Sequence, residues 1–201
     1  MTMDPNRFKI KSLPDDFDVE ERAARARENF RTKGYNCCQA VLLAYSDIIG
    51  MDEDMAATIS SGLGGGMGRL REVCGSVSAM FIITGFIHPA ADPSVKSDRT
   101  ANYALVQEAA AQFRAVNGSI VCKELLGLVP KSTAGKNGIG IPAAMAAELP
   151  AESPEPSDRT PEYYRKRPCE ELIGISARII GEMIRKANVT GPQQPSPAAS
   201  E

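Results

Sequence analysis

Gly62-Leu63-Gly64-Gly65-Gly66-Met67-Gly68-Arg69-Leu70-Arg71-Glu72-Val73-Cys74-Gly75-Ser76 runs straight into Val77, Met80, Phe81, Ile82, Ile83, Phe86 and Ile87. A glycine-dense loop thus delivers one cysteine to the start of an apolar segment. Glycine permits positive φ and close backbone approach at a large cost in ordering entropy, so such a loop reads as a functional one rather than a connector. The segment from Cys74 to about Ile87 is apolar nearly all round, which marks a helix packed on every side. No stretch alternates apolar and polar residues for long enough to argue a sheet. The fold read from these features is all-α, a compact single domain of about six or seven helices around this central apolar helix.

Toward the N-terminus, Asp52 caps a short helix through Met55, Ala56 and Ile59. Asn36 caps another, with a face of Cys38, Val41, Leu42, Tyr45, Ile48 and Ile49 that ends at Gly50. Asp18, with Glu21 three residues on, opens a first helix through Ala23, Ala26 and Phe30 that stops at Gly34. Residues 1–17 read as a flexible arm and 18–187 as the helical domain. Toward the C-terminus, His88-Pro89-Ala90-Ala91-Asp92-Pro93 breaks the chain before a long helix from Pro93 to about Val116, through Tyr103, Val106, Ala110 and Phe113. Ser119 caps a short helix with Cys122, Leu125 and Leu126. Residues 128–160 read as a loop or insertion with one short helix at 143–149. Pro168 opens the last helix, whose stripe is Cys169, Leu172, Ile173, Ser176, Ile179, Ile180, Met183 and Ile184. Residues 188–201 read as a disordered tail.

The chain has 201 residues, a net charge of −2 and 24% charged residues. That balance, with no basic stripe, argues against nucleic acid as a partner, and no run is apolar enough to span a bilayer. The first residues lack the apolar core of a signal peptide, so the expected location is cytoplasmic. There, five cysteines are not expected to form a permanent disulfide framework.

Cys37, Cys38, Cys74, Cys122 and Cys169 each fall within the first turn or so of an expected helix. Unpaired N–H groups and the helix dipole favour an anion there, which lowers thiol pKa and makes a nucleophile. Convergent helix starts would bring Cys37, Cys74, Cys122 and Cys169 together as one or two dithiols. The alternative is a metal site on the same four residues, holding an iron–sulfur cluster or zinc, although no C-x-x-C pair signals one. The bland alternative is a helical interaction module with cysteines as core filler. His88, the single histidine, precedes a proline at a helix end and reads as structural. The glycine loop lacks Gly-Lys-Ser/Thr, so a P-loop fails. A looser nest of N–H groups from Gly64, Gly65, Gly66 and Gly68, with Arg69 and Arg71 alongside, is the candidate cofactor or anion site.

Gly34-Tyr35-Asn36-Cys37-x-Gln39-Ala40-Val41, the glycine loop, Glu72-Val73-Cys74-Gly75, Cys122-x-Glu124-Leu125-Leu126-Gly127 and Cys169 together resemble the C_GCAxxG_C_C family, over roughly residues 20–185. The resemblance implies a redox-active protein of bacteria and archaea with four family cysteines, at Cys37, Cys74, Cys122 and Cys169; Cys38 is an extra. The expected activity is thiol–disulfide exchange or electron transfer, with Cys74 and Cys37 the more reactive pair. Its partner would be a redox protein or a small thiol or oxidant, and a helical homodimer fits the apolar helix.

Overall fold

The computed structural model describes Asp4, residues 7–129 and residues 153–189. Asp18 accepts the N–H groups of Glu20 and Glu21 and so starts α1 (Val19–Arg31). Asn36 and Gln39 close a reciprocal capping box on α2 (Cys37–Leu43), and Asp52 accepts from Met55 at the start of α3 (Glu53–Ser60). A short 3-10 turn, Ser61–Leu63, leads into the glycine loop. Beyond the loop come α4 (Gly75–Ile87), α5 (Lys96–Asn117), α6 (Cys122–Leu125), α7 (Pro161–Lys166) and α8 (Cys169–Val189).

The described residues therefore form an all-helical body of eight helices without a strand, slightly more than expected because α7 went unread. Residues 64–67 are not a helix in substance, since Gly65 and Gly66 hold left-handed conformations. The short helix expected at 143–149 and the tail beyond 189 lie outside the described residues.

α4 is the central element as read, but only in its first half. Gly75 to Met80 are buried all round against α2 and α8, whereas Phe81, Ile82 and Phe86 are half-buried. α8 lies along α1 and α4 with Leu172, Ile173, Ile180 and Ile184 in the core. Two glycines let it approach: a Cβ at Gly174 would strike the Arg27 guanidinium, and one at Gly181 the Tyr45 hydroxyl and Val19. The Tyr45 hydroxyl donates to the Ala177 carbonyl at 2.7 Å, which locks α2 to α8. Ahead of α1, Ile10 donates its N–H to Phe86 at 2.9 Å, and Ile10, Leu13 and Phe17 pack on the core.

Three local readings need correction. The long helix starts at Lys96 rather than Pro93, and Tyr103 stands 59% exposed; Ala109, Ala110 and Phe113 carry the buried face. Ser119 does not cap α6. Its hydroxyl accepts from Val121, the actual N-cap, and donates to the Glu124 carboxylate, so it braces the turn ahead of the helix. α7 begins one residue after Thr160, whose hydroxyl accepts from Tyr163 with Pro161 in the first turn, just beyond the loop read over 128–160, where the sequence reading assigned no element.

Candidate functional site

The four cysteines at the helix starts meet in one place. Cys37, Cys122 and Cys169 are the first residues of α2, α6 and α8, and Cys74 is the N-cap of α4. All four line a cavity of about 260 Å³, together with Gly64, Gly65, Gly66, Gly68 and Arg69. Every candidate site residue read from the sequence therefore borders the same space. Cys38, the extra cysteine, is fully buried in the core and does not reach it.

Glycine is what allows the helix starts to converge. A Cβ at Gly64 would sit 2.6 Å from the Asn36 Cβ, and one at Gly66 would sit 2.6 Å from the Cys122 Cβ. One at Gly75 would sit 3.1 Å from the Cys37 Cβ and 2.8 Å from the Leu63 carbonyl oxygen. Those separations are well inside ordinary carbon–carbon contact of about 3.5–4.0 Å. Asn36 also donates to the Ser61 carbonyl at 2.9 Å, tying the start of α2 to the end of α3. On the far side, a single antiparallel bridge between Val73 and Val121 sets two cysteines in register. Cys74 donates its N–H to Ile120 at 2.8 Å and Cys122 donates its own to Glu72 at 2.6 Å.

The loop between them is left-handed. Gly65, Gly66, Met67, Gly68 and Arg69 hold φ of 64°, 73°, 63°, 62° and 72° in succession, and Arg71 holds 60°. For the three residues that carry a side chain this region is disfavoured by steric contact of Cβ with the backbone.

The thiols differ sharply in acidity. Cys37 and Cys169 stand near one another on the cavity wall, and both are half-buried. Hydrogen bonding from Cys37 holds the Cys169 thiol below its ordinary value, helped by the Arg167 charge and opposed by burial. The same contact pushes Cys37 well above its own, with burial adding to the rise, while the Gly65 N–H and the Arg159 charge act against it. The two neighbours are thus shifted in opposite directions, Cys169 down and Cys37 up.

Burial dominates at the other cysteines. Cys74 is 5% exposed and its thiol is pushed up to about 11. The Ser76 hydroxyl, 3.3 Å from its sulfur, and the N–H groups of Ser76 and Val77 lower it somewhat; those amides face the sulfur without closing a capping bond. Cys122 is 7% exposed and also stands at about 11, raised by burial and lowered by a hydrogen bond from Arg71. Cys38 is pushed up to about 12 by burial. Helix-start placement therefore does not by itself activate these cysteines: Cys169 is lowered by Cys37 rather than by its helix terminus, and desolvation outweighs the lowering causes at Cys74 and Cys122. The pairing differs too: Cys37 has Cys169 as its thiol partner, not Cys74.

Arg71 is 4% exposed and faces Cys122, while Glu72 pairs with Lys123 at 3.1 Å. Arg69 donates from Nε to the Ser153 carbonyl at 2.7 Å. His88 caps the opposite end of α4, about 20 Å from Cys74 at 1.5 Å per helical residue, and faces Asp98 at 3.5 Å. Among the described residues, no three of His, Cys, Asp and Glu are grouped as metal ligands would be.

One wall was missed in the sequence. Arg159, Tyr163 and Arg167 border the cavity from α7 and its flanks. Their signal was the Thr160-Pro161-Glu162 helix start, with arginine on either side of the helix.

A family profile described as "putative redox-active protein (C_GCAxxG_C_C)" matches residues 35–183. The chain belongs to the C_GCAxxG_C_C family. All four cysteines of the cavity fall inside the matched region, as does the whole glycine loop. No curated protein and no solved structure matches the chain. Among the described residues, no helix is long and apolar enough to cross a membrane.

Proposed function

We propose that this C_GCAxxG_C_C protein carries out thiol–disulfide exchange, with Cys169 as the attacking thiolate and Cys37 as the resolving thiol. The observation that carries the reading is that two half-buried cysteines, Cys37 and Cys169, stand near one another on the wall of one cavity, with Cys169 shifted down and Cys37 up. A thiolate attacks a disulfide sulfur, and a neighbouring thiol then releases the bound half. All five cysteines are free, so the described state is the reduced one. Cys74 and Cys122 sit deeper, with pKa values near 11, and serve as a second dithiol behind the first. No group of three candidate ligands stands together for the iron–sulfur or zinc alternative among the described residues, which favours the dithiol reading.

The test is oxidation of the reduced, anaerobically purified protein with one equivalent of a disulfide, followed by peptide mapping. The expected product is a Cys37–Cys169 disulfide, with Cys169→Ser blocking its formation. Recovery of all five thiols unreacted, or stoichiometric iron or zinc in the purified protein, overturns the reading.

A further inference from the structure

The cavity beside the Cys37–Cys169 pair carries an unsatisfied cationic group. Arg159 lines the cavity, and its guanidinium is held on three sides. It lies over Phe30 at 4.5 Å and Tyr163 at 5.2 Å, and Nη2 donates to the Tyr35 carbonyl at 3.3 Å. Its other terminal nitrogen, Nη1, is buried with no hydrogen-bond partner. A buried guanidinium N–H without an acceptor is costly, and such groups are normally satisfied by a ligand or water. Arg167 also lies over Tyr163, at 4.7 Å, and borders the cavity. Neither arginine has a carboxylate partner among the described residues. Among the described residues no Asp or Glu lines the cavity, whereas Arg69 and Arg71 do.

From this geometry we infer that the exchange substrate is the disulfide of a low-molecular-weight thiol carrying a carboxylate or phosphate, with Arg159 as the group that binds the anion. The inference rests on the exchange reading above. The cavity, about 260 Å³, lies just below the ~300–1,000 Å³ of small-molecule sites. Arginine is suited to an oxyanion because its planar fork can donate two parallel hydrogen bonds.

The chemistry balances as follows. The Cys169 thiolate attacks one sulfur of R–S–S–R; a Cys169–S–R bond forms, the S–S bond breaks and RS⁻ departs. Cys37 gives its proton to that RS⁻ and attacks the Cys169 sulfur, forming the Cys37–Cys169 disulfide and expelling the second RS⁻ to solvent. Two protein thiols are oxidised and one small disulfide is reduced to two thiols. An excess of the same thiol class runs the sequence backward and restores the dithiol.

The experiment measures how fast the reduced protein consumes three small disulfides: dithiodipropionate (anionic), bis(hydroxyethyl) disulfide (neutral) and cystamine (cationic). Each rate is divided by that of free dithiothreitol with the same disulfide, which removes intrinsic reactivity. The expected normalised order is anionic, neutral, cationic, with anionic over neutral by about tenfold, the scale of one hydrogen bond to a charged group. That ratio should fall with added salt, collapse in Arg159→Gln and be partly restored in Arg159→Lys. A ratio near one in the unaltered protein, or one unchanged by Arg159→Gln, overturns the inference while leaving exchange itself standing. Failure to react with any of the three disulfides overturns both. The salt dependence is read on the unaltered protein, so the question stays open to refutation if a variant does not fold.

Discussion

Replacing Gly66 with alanine tests how the site is assembled. Two costs fall on that residue. The first is backbone: Gly66 holds φ +73°, where an L side chain costs about 1–2 kcal/mol. The second is contact. The new Cβ would lie 2.6 Å from the Cys122 Cβ and 3.0 Å from both the Arg71 Cα and the Glu72 nitrogen. Two of those neighbours are backbone, so none can simply swing away, and overpacking of this kind costs a further ~1–3 kcal/mol. Gly34 supplies the control, since it holds φ +77° with nothing within 4 Å of its added Cβ. Gly34→Ala therefore carries only the first cost, and both variants share the same loss of unfolded-chain entropy.

The expected result is that Gly66→Ala is less stable than Gly34→Ala by about 1–3 kcal/mol in urea unfolding at unchanged slope. A second readout is local. The start of α6 must retreat from the loop, so the Cys122 thiol, 7% exposed, should become reactive toward a small alkylating agent in the folded protein. Equal stability of the two variants within about 0.5 kcal/mol would refute the claim that glycine is required here for the approach of α6.

Removing the hydrogen-bond donor to Cys169 by Cys37→Ala should move the pH profile of Cys169 alkylation to higher pH; Cys37→Ser, which keeps a donor, should move it less. Ser76→Ala should raise Cys74 above about 11 and slow its alkylation, because the Ser76 hydroxyl lowers that thiol and itself accepts from Ser176 at 2.9 Å. Stability should fall as pH rises from about 9 toward 11. Cys74 and Cys122 titrate near 11 in the fold against an ordinary 9.0, so the unfolded chain releases those protons first, at about 1.4 kcal/mol per pH unit for each thiol. Cys169 has the opposite sign, but its contribution is complete once pH passes 9.0 and does not offset the fall. Denaturant midpoints measured anaerobically across that range check the sign.

Much of this site was legible because its signals are local. Asn36 and Asp52 act as caps where their side chains predict, and the unbroken apolar run after Cys74 does become the middle of the core. Position alone leaves open whether the four helix starts converge. What brings them together is three-dimensional: Gly64, Gly66 and Gly75 each face a different neighbour across the cavity. Two things could not be read that way. Which thiol is acidic depends on burial against hydrogen bonding, and helix-start placement says nothing about how dry each start becomes; Cys74 and Cys169 share the placement and shift in opposite directions. The arginine wall was hidden by composition, since the residues around α7 follow a Pro-, Ala- and Glu-rich stretch that masks a Thr-Pro helix start.

The left-handed turn explains why a costly loop stands at the centre of the site. Five successive residues at positive φ reverse the chain tightly enough for its glycines to touch both the start of α2 and the start of α6. Met67, Arg69 and Arg71 carry side chains through that turn, at about 1–2 kcal/mol each. Strain of this kind persists only where the surroundings over-determine it, and here they do. Glu72 donates its N–H to Gly66 across the loop, Lys123 donates its own to Arg71, and the Arg71 side chain is buried against Cys122. One of the strained residues, Arg71, is therefore also the one that holds a cation beside the deep thiol, so there backbone strain and thiol environment meet in one residue.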